Sequence, residues 1–482
     1  MSDMRRAFVD NFAVRHYCPL CRLSRLNPAV DLKELGERAR SREICAAWFA
    51  NERCKVTGRA AIPRARWVRI LPGTVLIYVI AYMDRMNISL AMAGGINRDL
   101  HLSMTRSGLA AGVFFIGYML LQVPAGHIAE HLSAKKYVLW SILAMGTVSL
   151  LTGFVQNGAQ LIGMRFLLGV AEGGIYPALL IVVSKWFPSK EIGRANAVFL
   201  ASLPLSTVLT NPISGWLVSK YDWRWMFFLE GGLSILLVLL WLPMISDRPR
   251  QAKWISLAEK NYLEETLEAE RLASERHFQT QANADWSYKR LLLDGNLWLM
   301  TLIVICYTSG QYGYSVWLPT LLSGLTRMSL GKVGLLSSLP FLAALGGLYV
   351  FGAMSDKRRN RRLWTAVSLA GFAVSLLLAT LFTRWAWFAF ALLVFTGVFL
   401  KAMQSPFWAM PALLFPPGFS GAARGFINAV GNLGGFVGPL LVGWSVTLTG
   451  KMQYGSYCLV FALLAGAGIT LLLPLLTTGQ EN

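Results

Sequence analysis

Tyr82-Met83-Asp84-Arg85-Met86-Asn87-Ile88-Ser89 sets two adjacent opposite charges near the middle of an apolar stretch running from about residue 69 to 95. A stretch of that length crosses a hydrocarbon core of about 30 Å, and a charge at that depth costs roughly 3 kcal/mol even on lenient insertion scales. Asp84 and Arg85 therefore face a polar cavity or a partner. Either they mark a transport or coupling site, or they are an inward-facing ion pair that only holds helices together.

The chain around this stretch is of the same kind. It has 482 residues, of which 55% are hydrophobic and 15% charged, and its mean hydropathy is +0.49. A soluble domain carries about 25% charged residues and no repeated apolar runs of this length. Further apolar stretches lie near 107–129, 137–156, 159–184, 195–219, 226–245, 297–325, 333–354, 363–382, 386–414, 425–448 and 455–476. The expected fold is an all-α membrane protein with twelve transmembrane helices, the tenth interrupted near Pro406 and Pro411.

The formal net charge of +20 does not point to nucleic acid, because the Lys and Arg residues gather in short loops between the spans. Lys135-Lys136, Lys185, Lys190, Arg194, Arg248, Arg250 and Lys357 to Arg362 follow even-numbered spans, whereas the alternate loops carry scattered charges such as Lys220 and Lys451. Positive loops stay on the cytoplasmic side, so both termini are expected there, with the chain multi-pass in the inner (plasma) membrane.

Six spans apart, the sequence repeats. Gly126 to Lys136, after the second span, is matched by Gly352 to Arg362 after the eighth; Phe187-Pro188 with Arg194 is matched by Phe415-Pro416 with Arg424. Two pseudo-symmetric six-helix halves follow, residues 67–246 and 296–478. Between them, residues 247–295 form a polar linker in which Ser256-Leu257-Ala258-Glu259 reads as a capping box opening an amphipathic cytoplasmic helix with no chemistry of its own.

With these motifs in place, the chain resembles the major facilitator superfamily, although Glu130 and Ser133 stand where its first-half loop usually has Asp and Gly. Within that superfamily it is similar to the anion:cation symporter family, on Tyr82 to Ile88, Arg165 to Pro177, Tyr312 to Pro319 and Ser405 to Pro411. Arg194 to Phe199 and Trp223 to Gly231 look nearest to the phthalate and hydroxyphenylacetate permeases. The resemblance implies proton-driven uptake of organic anions such as galactonate, rhamnonate, tartrate, phthalate and 4-hydroxyphenylacetate. It also implies that Tyr82 and Tyr118 lie at the substrate site; read from the residues alone, such tyrosines are more often packing residues.

The residue chemistry agrees with that implication. A guanidinium offers two parallel donors to a carboxylate, which makes Arg85 the expected anchor. Glu172, near the middle of the fourth span, is the expected proton carrier, or else a structural partner of Arg165 on the same helix face. Asp84 would bias that protonation and hold Arg85 when no substrate is bound. Lys401, Ser405 and Trp408 share one face by spacing, so Lys401 is either a second cation for substrate or a side chain snorkelling to an interface. Asn428 and Asn432 bind substrate or hydrogen-bond neighbouring helices. Leu203-Pro204-Leu205 replaces the polar group that sugar-acid carriers of the family place on the fifth span, which favours an aromatic or hydroxy carboxylate.

The expected function is import of a small organic anion by proton symport through alternating access, by a monomer with no cofactor, no metal and no catalytic residues. The alternatives are a sugar-acid symporter and a non-transporting nutrient receptor on the same scaffold. No phosphate-binding loop argues for a pump, and no paired nucleophile and base for an enzyme. Residues 1–66 are Arg-rich and lack the apolar core of a signal peptide. They read as a disordered tail or as translation assigned too far upstream. Cys18 and Cys21 have no correctly spaced second pair in Cys45 and Cys54, so zinc is not expected there.

Overall fold

The computed structural model describes residues 65–281, 287–358 and 360–474, and these are helices joined by short turns, with no strand among them. The extension expected to reach residue 66, with its four cysteines, lies outside them save for Ala65 and Arg66, which already belong to the first helix. Arg359 lies outside as well.

The twelve spans are present. The first is Ala65–Ala93, the second Met104–Ile128 with a π-helical turn Ala129–Ser133, and the third Ala134–Thr152. Gly158–Glu172 and Ile175–Trp186 make the fourth, Ser189–Leu200 and Ser202–Lys220 the fifth, and Trp223–Met244 the sixth. After the linker helix Leu257–Gln281 come Gly295–Thr326, Leu330–Arg358 and Arg361–Leu381. Ala386–Leu400, Gln404–Ala409 and Pro411–Leu414 form the tenth, Pro417–Gly431 and Leu433–Thr449 the eleventh, and Met452–Leu472 the twelfth. Ten of the twelve are long and apolar enough to cross a membrane; the third and seventh fall short on composition alone. Those two bear polar residues that serve the interior, Ser149 and Gln311.

Side-chain caps start many of these helices. Ser103 accepts from the Arg106 amide (3.3 Å), Asn157 from Gln160 (2.9 Å) and Asn360 from Leu363 (3.1 Å), satisfying amides that a helix start leaves free. Prolines set the interruptions. Pro177, Pro204 and Pro406 lack the N–H that would bond the carbonyl four residues earlier. The fourth, fifth and tenth spans break at those places, at Gly173, around Leu200 and at Lys401 to Met403. The tenth span is thus broken a turn before the position expected from Pro406 itself, and again at Met410.

The two halves meet along spans two with eleven and five with eight. Around the loops that follow odd-numbered spans this contact is close. Thr105 Oγ1 bonds Thr447 Oγ1 at 2.9 Å. Gly334 lies against the Asn211 carbonyl and Gly215, where any β-carbon would collide with main chain. At the opposite end, the linker helix is clamped. Arg66 Nη1 reaches Glu259 Oε1 at 2.6 Å, while its Nη2 reaches both oxygens of Glu191 at 2.9 and 2.8 Å. The expected capping box is half formed: the Glu259 amide bonds Ser256 Oγ, at 3.2 Å, but the Glu259 carboxylate turns to Arg66 and the amides of Ala65 and Arg66.

Candidate functional site

Successive residues of a helix point about 100° apart, so adjacent charges on one span address different neighbours. Arg85 turns to the fourth span. Its Nε donates to Glu172 Oε1 at 3.0 Å, and its Nη2 makes a second bond to the same oxygen. Three rings enclose the guanidinium, with centroids 5.2 Å away for Tyr82, 5.1 Å for Phe114 and 4.6 Å for Tyr118. Gly173 makes this approach possible, since a β-carbon there would strike the Tyr118 main chain. Arg85 and Glu172 are 4% and 0% exposed, and Glu172 Oε2 has no hydrogen-bond partner.

Asp84 turns the other way. It accepts from Ser149 Oγ (2.8 Å) on the third span and Ser234 Oγ (2.9 Å) on the sixth, and so does not hold Arg85 as expected. Glu172 does. Nor is Glu172 the partner of Arg165. The Arg165 guanidinium donates instead to the main-chain carbonyls of Asp84 (3.1 Å) and Arg85 (2.9 Å), pinning the first span to the fourth.

In the second half, Lys401 neither snorkels nor shares a face with Ser405 and Trp408, because the helix breaks directly after Leu400. Its buried Nζ donates to Gln311 Oε1 of the seventh span at 3.1 Å. It lies near enough to Arg85 for the two positive charges to act on each other. Tyr312, next to Gln311, rests on Phe115 of the second span with ring centroids 4.3 Å apart. Ser405 is exposed beside Gly352, and Trp408 is half-buried against the apolar core. Asn432 Nδ2 bonds the Asn428 carbonyl within its own helix at 2.8 Å, and both residues are half-buried. The structure thus joins Arg85, Glu172, Tyr82 and Tyr118, brings Lys401 near them, and gives the side chains of Asp84, Ser405, Trp408, Asn428 and Asn432 other neighbours.

Several participants were not singled out from sequence. Phe114 and Gln311 carry no signal of their own in an apolar helix. Asn87 could have been found, lying three residues from Asp84 and hence on the same face; Glu230 could have been found as a lone carboxylate inside the sixth span. Two grooves of about 590 and 680 Å³ open between spans two to four and between spans seven, eleven and twelve, and neither is lined by Arg85, Glu172 or Lys401.

Comparison with known proteins sets this geometry in a family. The model of the Major Facilitator Superfamily matches residues 74–439 and again 323–481. A protein of Agrobacterium vitis named "Putative tartrate transporter" is 34% identical over 422 residues, covering 86% of this chain and 94% of that one. "Probable sulfoacetate transporter SauU" of Cupriavidus necator is 30% identical over 425 residues, covering 86% and 95%. The crystal structure of a bacterial homolog to the human lysosomal transporter Spinster, inward-facing and occupied, superposes with a TM-score of 0.66 at 15% identity, covering 84% of this chain and 96% of that one.

Proposed function

Because the chain belongs to the major facilitator superfamily, we propose that it imports a small organic anion, an aromatic or hydroxy carboxylate, by proton symport through alternating access. The observation that carries this reading is the Arg85–Glu172 ion pair, closed in by Tyr82, Phe114 and Tyr118, with one Glu172 oxygen unpartnered. An entering carboxylate competes with Glu172 for the same guanidinium donors. Once displaced, Glu172 would be a buried charge with no partner, a state costing several kcal/mol, and taking up a proton removes that charge. Anion binding and protonation then favour each other, and this reciprocal coupling is what symport requires. The rings offer apolar and π-facing surface to the body of the substrate.

The halves, residues 67–246 and 296–478, would rock about the contact of spans two, five, eight and eleven, closed in this structure around Thr105 and Thr447. Positive loops put the opposite end, with the linker helix and both termini, in the cytoplasm.

A second cation narrows the substrate. Lys401 has a neutral partner, Gln311, and no carboxylate within salt-bridge distance among the described residues. An anion with two acidic groups could bind Arg85 with one and Lys401 with the other. Tartrate and sulfoacetate, named for the two relatives, both carry two such groups.

Glu172→Gln tests the coupling in proteoliposomes with an imposed proton gradient. The variant mimics the protonated residue, so it should exchange labelled substrate across the membrane yet fail to accumulate it. Retained proton-driven accumulation would remove Glu172 from the role and sink the reading.

A further inference from the structure

On the far side of the first span from Arg85, two carboxyls remain that the Arg85–Glu172 exchange does not use. Asp84 and Glu230 are 0% and 2% exposed. One amide bridges them: Asn87 Nδ2 lies 3.4 Å from Asp84 Oδ1 and 3.1 Å from Glu230 Oε2. Their other donors are the hydroxyls of Ser149 and Ser234 on Asp84, and of Ser214 on Glu230.

Among the described residues no cation bonds either carboxyl. The spans packed on the sixth supply Ser149 from the third, Ser214 from the fifth, and Asn87 and Asp84 from the first. From the fourth span, Arg165 gives its terminal nitrogens to main-chain carbonyls, and Arg85 is taken by Glu172, whose own charge has the same sign as theirs. Two like charges that share one amide donor away from water disfavour double ionisation, and a single proton relieves it. The protonated form needs an acceptor, and among the described residues the buried Asn87 Oδ1, on the same side chain as the bridging nitrogen, is one without a hydrogen-bond partner.

We propose that Asp84 and Glu230 together hold one exchangeable proton in a station separate from Glu172, which adds Glu230 to the proton-coupling residues of the carrier. The proton adds to a carboxylate oxygen of the pair, giving a carboxylic acid and a carboxylate, and leaves as a proton with no other bond changed. The proposal rests on the symport reading only for its use in transport. The shared proton itself is a property of the resting protein.

Both parts are measurable. Infrared difference spectra of the purified, substrate-free protein in lipid nanodiscs, titrated with pH, should show a protonated-carboxyl band at neutral pH. That band should be lost in Glu230→Gln and equally in Asp84→Asn, because removing either negative neighbour lets the other ionise among its donors; Glu172→Gln should retain it. In proteoliposomes loaded with a pH dye, Glu230→Gln should move one proton fewer per anion than wild type. A band unchanged in both variants overturns the pair; a proton count in Glu230→Gln equal to that of a wild type that does couple overturns the pair's use in transport. If the band behaves as stated but wild-type protein moves no proton with its anion, the pair stands and the symport reading fails.

Discussion

The interiors of the two halves differ in charge far more than their shared helical plan suggests. The first half buries Asp84, Arg85, Arg165, Glu172 and Glu230, with Arg66 just ahead of it on the first helix; among the described residues of the second half, Lys401 alone is a buried charge. In the second half the close contacts are made by small residues without such ions: Gly434 lies against the main chain of the seventh span and Gly438 against the Ser309 carbonyl, while Thr308 Oγ1 bonds the Gly431 carbonyl at 2.6 Å. Small residues let helices approach closely where no hydrophobic force separates helix from lipid. By our proposal the half that holds the ions recognises and couples the substrate, while close glycine contacts serve both halves, as at Gly173 and Gly334.

The strongest way to break this division is Arg85→Lys. The substitution keeps the charge and loses the fork that addresses Glu172 and, by our proposal, the substrate carboxylate. Disrupting a buried pair is worth about 3–5 kcal/mol, so initial uptake of a labelled carboxylate should fall by roughly 100-fold or more. Uptake near wild type would remove the first half from recognition.

A smaller effect is expected from the first half's other buried ion cluster, which lies at the linker end. Arg66→Ala leaves Glu259, 0% exposed, without its cation. About 3 kcal/mol of stability should be lost, read as a lower melting temperature in detergent. Substrate affinity of the protein that stays folded should not change, because Arg66 touches Glu191 and Glu259 rather than the Arg85 cage. A loss of affinity with no loss of stability would contradict the separation.

The smallest effect sharpens the comparison from the other half. Lys401→Met should weaken competition by dianions about 10-fold, near 1.4 kcal/mol, and leave monoanions unaffected. An unchanged inhibition series would make the second half a neutral wall.

Much of this is legible in the sequence. Arg85 and Glu172 announce themselves by their depth in apolar runs, and Pro406 and Pro411 mark the interrupted tenth span. The breaks before Pro177 and Pro204 are not expected, since prolines such as Pro319 and Pro340 lie inside continuous helices. The reading passed over Asn87 and Glu230, and elsewhere it failed on partners. Lys401, Ser405 and Trp408 have helical spacing, yet the turn missing before Pro406 carries Lys401 off their face. Glu259 follows Ser256 as a capping box requires, yet a buried arginine 193 residues away takes its carboxylate.

Class, span number and the identity of the deep charges were set by the sequence alone, because the bilayer acts on each span separately and hydropathy is a local property of about 20 residues. The tertiary structure decided which charge answers which. Arg85 meets Glu172 across 87 residues, Asp84 meets Ser149 across 65 and Ser234 across 150. Such choices depend on a 100° turn between neighbours and on where two helices cross, and neither is written in the composition of a single span.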